Sequence, residues 1–497
     1  MGMGAVAVAR HELRVAWRDR GLVALGVVLT LLLAASAASA WARYASEARQ
    51  RARYQALVGE QFAAQPDRHP HRVSHYGYLV FRPRAPLGAF DSGVERFAGT
   101  SLFLEAHRQN TANFSDASQG GSGERFGELT PALVLQLFVP LFLLVVAAVS
   151  VTREREAGTL ALLLSQGTAW RTVLRGKWLG SMGTAVLVTA PGVALVLGWL
   201  AWCAAAGMDG TAAVGWSTVV PRAVLLLALH VCFWAACTAL GVVISARHAT
   251  TRGALATALG VWVALWVVVP RLLPAVATAL HPVPSRTRFD AEVEARLREL
   301  GDSHNPDDPV FERLREETLQ RYGVTRVEEL PINYGGLVMR ESERHTSEAF
   351  REHMGRVQAT YARQASVLEA AGVLTPFVAV RTLSMAMAGA DLSHVAAFEA
   401  QAESYRYTLI QALNDLHMHE VEAARDRYGA VVNGAPSRQR IDHTFFDALP
   451  TFQFVPPSLG ATLRARWIAI LALVVSCTLV GLAFHRTARR DVVLQGR

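Results

Sequence analysis

The chain has 497 residues, about three domains by the usual prior. Hydrophobic residues make up 52% and charged residues only 18%, below the ~25% of soluble domains, and mean hydropathy is positive at +0.23. The apolar residues also come in blocks, which excludes a disordered chain or an ordinary soluble enzyme and points to membrane spans. The net charge of +8 and pI near 9.7 bring nucleic acid to mind. Of the 49 basic residues, however, all but Lys177 are arginine, and they form neither a tail nor an aromatic-interleaved stripe, so no nucleic-acid partner is expected. Cys203, Cys232, Cys237 and Cys477 lie in or beside apolar runs, where they can neither form a metal knuckle nor staple a polar domain.

Taken in chain order, residues 1–20 alternate Leu13, Val15 and Trp17 with Arg10, Arg14, Arg18 and Arg20, the pattern of a helix lying in a membrane interface. A first span follows over 21–43. Its Ala38-Ser39-Ala40 stretch lies too far along for a signal-peptidase site, so an uncleaved anchor is expected. The polar region 44–130 continues this helix from Tyr44 to about Phe62. It then turns irregular, with strand alternation only around Tyr76–Phe81 and a Gly120-Gly121-Ser122-Gly123 hinge. A second span covers 131–151, a loop 152–178, and three spans fall within 179–280, near Leu179–Trp202, Arg222–Ser245 and Gly253–Pro270. Arg271 and Pro274 mark the expected break of the fifth span, with Arg271 snorkelling to headgroups.

The second polar region, 281–466, reads as mainly helical. After the Asn305–Pro309 turn, Phe350, Met354, Val357, Tyr361 and Leu368 form one apolar face, and a second helix runs from about Ala397 to Tyr428. Val373–Ala390 between them is expected to be an interfacial or re-entrant helix, or else a helix buried in the polar domain. The sixth span is 467–485 and the tail 486–497. The expected fold class is therefore an all-α polytopic membrane protein of six transmembrane helices with two mainly helical insertions. Segments 1–20, 152–178, 246–252 and 485–497 carry 15 basic and 5 acidic residues, whereas the short 203–220 connection has no Lys or Arg. The positive-inside rule puts the basic side and both termini in the cytoplasm, and both polar regions outside. Anionic headgroups are then incidental partners of the basic rim.

The loop reads Thr152-Arg153-Glu154-Arg155-Glu156-Ala157-Gly158-Thr159-Leu160-Ala161-Leu162-Leu163-Leu164-Ser165, followed by Gly167, Arg171 and Gly176-Lys177. Physically it is a charged turn, a Gly-Thr break and a short apolar helix that Thr159 can cap and Gly167 ends, with Lys177 anchoring the next span at the interface. So short an apolar helix wants a partner's groove, or it exposes Leu160, Leu162, Leu163 and Leu164. Gly176-Lys177 is no ATP-binding loop, since Trp178 follows it and Arg171 stands where a glycine is needed.

Glu-x-Glu-x-Gly-Thr-Leu-x-x-Leu-Leu-x followed by Arg and Gly-Lys resembles the coupling loop of ABC-2-type transporter permeases. The resemblance implies that Arg153, Glu154, Glu156, Gly158, Thr159, Leu160 and Leu163 belong to a segment that docks into a separate ATPase. It also implies that ATP and Mg2+ are bound there while this chain holds no cofactor, and that two permeases, identical or homologous, pair with two ATPase copies in a bacterial inner membrane.

The polar regions resemble a bacterial branch of these permeases with a large extracytoplasmic domain of unknown function. The matching stretches are His69-Pro70-His71…His75-Tyr76-Gly77, Asp91-x-Gly93, Leu104–Asn110, Leu330–Gly336 and Arg381–Gly389. Related permeases serve gliding motility and copper-enzyme maturation. Two functions are thus in view: ATP-driven translocation, and a non-transporting machine pulling on an extracytoplasmic protein.

Two further groups carry chemistry. His69, His71, His75 and His107, with Glu105 nearby, suit zinc, copper or iron, hydrogen-bonded packing, or recognition of an outer partner. His71 and His75 share a face only if helical, which Pro70 and Gly77 put in question. His417-x-His419 points its rings apart on a helix. Gln136 and His230, polar groups inside spans, suit helix-to-helix hydrogen bonding or the lining of a cargo path. No catalytic triad, nucleophile elbow or His-Glu-x-x-His signature is present in the sequence.

Overall fold

A computed structural model describes residues 3–113, 115, 118, 128–205, 216–302, 304–423, 426, 431–432, 435–436, 440–449 and 451–489. The Gly120–Gly123 hinge, most of the 203–220 connection and the tail past Arg489 lie outside the described residues.

The chain opens with α1 (Met3–Arg18), then α2 (Arg20–Ala63), which Asp19 caps by accepting from the Gly21 and Leu22 amides. Next come α3 (Pro70–Tyr76) and an antiparallel pair, β1 (Tyr78–Phe81) and β2 (Ser101–Leu104), with Tyr78 opposite Leu104. The β2 partner was not legible in the sequence. Then follow α4 (Pro131–Glu156), α5 (Thr159–Ser165), α6 (Trp170–Ala205), α7 (Trp216–Arg247) and α8 (Thr251–Leu280). The second insertion contributes α9 (Arg286–Glu299), α10 (Glu312–Tyr322), α11 (Tyr334–Ala370), α12 (Pro376–Ala388) and α13 (Leu392–Glu420). The short α14 (Leu459–Ala465) leads into α15 (Trp467–Arg489). Helices α2, α4, α6, α7, α8 and α15 are long and apolar enough to cross a membrane, and they keep Val28, Leu31, Leu187 and Val474 exposed as a lipid sheath.

The spans meet in one core that includes Leu143, Phe233, Trp234, Trp266 and Leu473. Two spans hold a wide π turn ending two residues before a proline: Val134–Phe138 before Pro140, and Val263–Val268 before Pro270. Proline has no N–H to offer the carbonyl four residues back, and a wide turn relieves its ring clash. Three indoles answer the freed carbonyls of the first turn: Trp234 donates to Leu135 (2.9 Å), Trp266 to Gln136 (3.1 Å) and Trp262 to Leu137 (3.2 Å). The expected break of the fifth span at Arg271 and Pro274 is corrected. The helix runs on to Leu280, with Arg271 exposed on it.

Helix α1 packs along α6, where Gly176, Gly180 and Gly183 let the backbones approach. A Cβ on Gly176 would stand 2.4 Å from Val8 Cβ, and one on Gly180 2.5 Å from Glu12 Cβ. At this end also lie α5, the α7–α8 turn and the end of α15, tied by the Trp170 indole to the Thr487 carbonyl (3.1 Å).

The two insertions gather at the other end. Helices α11 and α13 run antiparallel, with Asn333 N–H on the Met418 carbonyl (2.8 Å) and Arg340 on Asp415 (3.0 Å). The expected α13 boundary at Tyr428 is corrected to Glu420, because Val421 turns extended and its carbonyl accepts from the Asn333 side-chain Nδ2 (3.2 Å). On α11, Phe350 is buried, Val357 is half-buried and Tyr361 is exposed, so the apolar face is only partly covered. Helix α12 is fully buried at Ala379, Val380 and Ala386 and is lodged against α7 and α15. It ends on Gly389 (φ 73°) and meets the first insertion where Ser384 donates to Asp91 (2.5 Å) and Val94 N–H to the Ala390 carbonyl (2.9 Å).

Candidate functional site

The loop between the second and third spans is mounted from four directions. Glu154 pairs with Lys177 of α6, and Lys177 Nζ also contacts Glu12 of α1 at 2.7 Å. Lys177 is 0% exposed, so the expected role as an interface anchor is corrected: the chain's one lysine is the buried cation of a carboxylate pair. Arg155 donates to the His248 carbonyl and, at 3.1 Å, to the Ala246 carbonyl at the end of α7. Glu156 accepts from the Thr251 amide (2.8 Å) and hydroxyl (2.7 Å) at the start of α8, where the helix dipole favours a carboxylate. Arg153 stands 3.9 Å from Asp19, with both side chains about 40% exposed.

Gly158 (φ 73°) makes the turn into α5, a left-handed position that suits glycine. It, not Thr159, occupies the N-cap position, and no side chain caps the helix; the Thr159 hydroxyl instead donates to the Glu154 carbonyl (3.2 Å). Leu160 is buried among Val151, Val173, Leu174 and Val242, so its expected exposure is corrected. What faces outward is Ala157, Gly158, Thr159, Ala161 and Leu162, with Leu162 58% exposed and Leu163 half-buried. The result is a mostly apolar tip on a charged base held by hydrogen bonds and ion pairs. Seven residues cannot bury two faces at once, and periodicity alone did not say which leucine turns in.

Gln136 and His230 meet across α4 and α7, with Gln136 Nε2 3.3 Å from His230 Nε2, while His230 Nδ1 bonds the Leu226 carbonyl (2.8 Å). Both are buried, and His230 edges a cavity of about 360 Å3 lined by Leu33, Phe90 and Trp234.

Among the histidines, Pro70 and Gly77 turn out to start and stop α3 rather than prevent it. His69 is its N-cap, its Nδ1 accepting from the His71 amide (3.2 Å). His69 leaves the predicted group: its Nε2 lies 3.0 Å from Asp426, which His417 also meets at 2.6 Å. Burial would raise the Asp426 carboxyl, but these two imidazoles hold it well below the usual range. His71, His75 and His107 do come together, joined by His304 from the second insertion, which sequence reasoning missed. Only the tertiary contact between insertions brings residue 304 near residue 71. Glu105 stands outside the group, accepting from Asn110 at 2.9 Å. Burial, then the imidazoles of His75, His107 and His304, push His71 down to about 2.

A six-span helical bundle with a short, exposed-tipped helix between its second and third spans defines a multi-pass membrane protein. The model of the ABC-2 family of transporter proteins matches residues 6–300, more than half the chain, and the chain belongs to that family. It is thus a transmembrane component of an ABC-type system, not itself the catalytic subunit, and membership implies an ABC ATPase partner in general. Residues 286–455 match a domain of unknown function, DUF3526. No curated protein matches the chain.

Proposed function

We propose that this chain is the permease subunit of an ATP-driven ABC-2-type transporter, coupling a separate ATPase pair to substrate translocation across a bacterial inner membrane. The observation that carries this reading is the α5 tip. Leu162 and its neighbours project from a base braced by Lys177, Arg155 and Glu156 against α1, α6, α7 and α8. A push on such a tip is delivered to four helices at once instead of being absorbed by a soft loop. The basic residues of this end agree with a cytoplasmic location for it and for both termini, leaving the insertions outside. Six spans make half a pathway, so a second permease, identical or homologous, completes it. ATP and Mg2+ belong to the ATPase. Among the described residues, nothing specific favours a purely mechanical role on an extracytoplasmic partner.

The test is Leu162→Asp in the reconstituted complex. Its exposed position predicts unchanged insertion and thermal stability, with ATPase stimulation reduced at least about tenfold, since a charge in a desolvated pocket costs well over 1.4 kcal/mol. Full stimulation in that variant would remove α5 as the coupling element.

A further inference from the structure

His71 and His75 lie one helical turn apart on α3, His107 follows β2, and His304 lies before α10. His71 Nε2 is 3.1 Å from His75 Nε2 and 3.3 Å from His304 Nε2, and one nitrogen from each of the four rings lies within 4.8 Å of all the others. Hydrogen bonding accounts poorly for this. A neutral imidazole offers one N–H and one lone pair, so His71 Nε2 cannot make two good bonds to two other Nε2 atoms. A tetrahedral metal with bonds of 2.0–2.1 Å sets its ligand nitrogens about 3.3–3.4 Å apart; the His71–His75 and His71–His304 separations fall within a few tenths of an ångström of that, and the four-ring grouping within 4.8 Å is compact enough to close on one ion.

The surroundings orient the donors. His107 adopts φ 60°, and its amide donates to Glu343 Oε2 (2.9 Å), with Nδ1 3.4 Å from the same oxygen. Both ring nitrogens of His107 are buried without a hydrogen-bond partner among the described residues, and the Glu343 carboxylate beside Nδ1 leaves Nε2 as the atom free to face the other rings. Glu343 is itself fixed by buried Arg406 (2.6 Å) and Ser347 (3.0 Å). His304 Nδ1 faces Asp302 at 3.4 Å in the same way. A carboxylate behind a histidine is the usual support of a metal-binding imidazole.

We propose that His71, His75, His107 and His304 form a binding site for a divalent transition metal of the Zn2+ class, clamping the two insertions together. Three ligands come from the first insertion and one from the second, so the ion ties segments far apart in the chain. The proposal is independent of the transport reading.

The experiment uses the full chain in lipid nanodiscs with a tag free of histidine, stripped with chelator and then titrated with Zn2+, with Mg2+ as control. One Zn2+ per chain and a rise in Tm are expected, as a ligand bound only by the folded state must stabilise it. His75→Gln with His304→Gln changes two exposed rings, so the fold is retained, and binding is expected to fall by at least about 100-fold. His69→Gln serves as a comparison and keeps binding. The proposal is overturned if stripped protein takes up no stoichiometric Zn2+, or if the double variant binds it as the parent does.

Discussion

Both ends of the molecule place a buried ionic knot behind a candidate site, but the knots are built differently. At the α5 end, one ammonium, Lys177, sits between Glu12 and Glu154, and the motif's charges turn inward. At the insertion end, a guanidinium, Arg406, is held by Glu343 and Glu403 one layer back, and imidazole nitrogens stand in front of it. A motif's charged residues can therefore serve as mounting, leaving contact to the small and apolar residues beside them. In the other region the charged layer lies behind the imidazoles of the proposed metal site.

The sharpest way to break this contrast is Lys177→Met. It leaves two buried carboxylates facing each other without a cation, a loss of about 3–5 kcal/mol. Thermal unfolding should show a large drop, and ATPase stimulation should vanish with it. An unchanged Tm would mean that the knot does not brace the loop. Next is Leu160→Ala, which empties a buried site and should cost about 2–5 kcal/mol, measurable by thermal or denaturant unfolding. Leu162→Ala at the exposed tip should cost almost nothing in the same measurement. Equal losses would show that both leucines are packed.

A third knot joins the insertion to the sixth span: Arg466 meets Asp391 at 2.6 Å and Glu369 at 2.7 Å. Burial would raise the Asp391 carboxyl, but His394 and Arg466 hold it below its ordinary 3.8. A carboxyl depressed in the folded state stabilises above its unfolded value, and that stability is lost as pH falls through the folded one. The stability gap between parent and Arg466→Gln should then be widest above about pH 4 and narrow below it. A gap independent of pH from 6 to 3, read by unfolding across that range, would argue against an ionised Asp391. The smallest loss expected at a buried position is Trp266→Phe, which strips a donor from the Gln136 carbonyl four residues before Pro140 and should cost about 1 kcal/mol in Tm-based stability.

Much of this was legible from periodicity and composition. Six blocks of apolar residues fix six spans because hydrocarbon demands about 20 such residues and tolerates few charges. Pro70 and Gly77 were visible too, but their meaning was not: proline at the first position of a helix and glycine after its last are helix boundaries, and they hold His71 and His75 on one face. The matching stretches around His69, Leu104 and Leu330 read as separate motifs, and only the packed chain joins them through Asp426, Asn333 and Glu343.

What the amino-acid order determined by itself is therefore local: which segments are apolar enough to span, where glycine and proline bound them, and a loop pattern marking the family. What tertiary structure alone decided is partnership. Lys177 between Glu12 and Glu154, Leu160 inward while Leu162 faces out, and His304 in place of His69 all depend on residues up to a few hundred positions apart. Sequence spacing sets distance along a single helix, whereas burial and charge pairing depend on which other helix arrives against it.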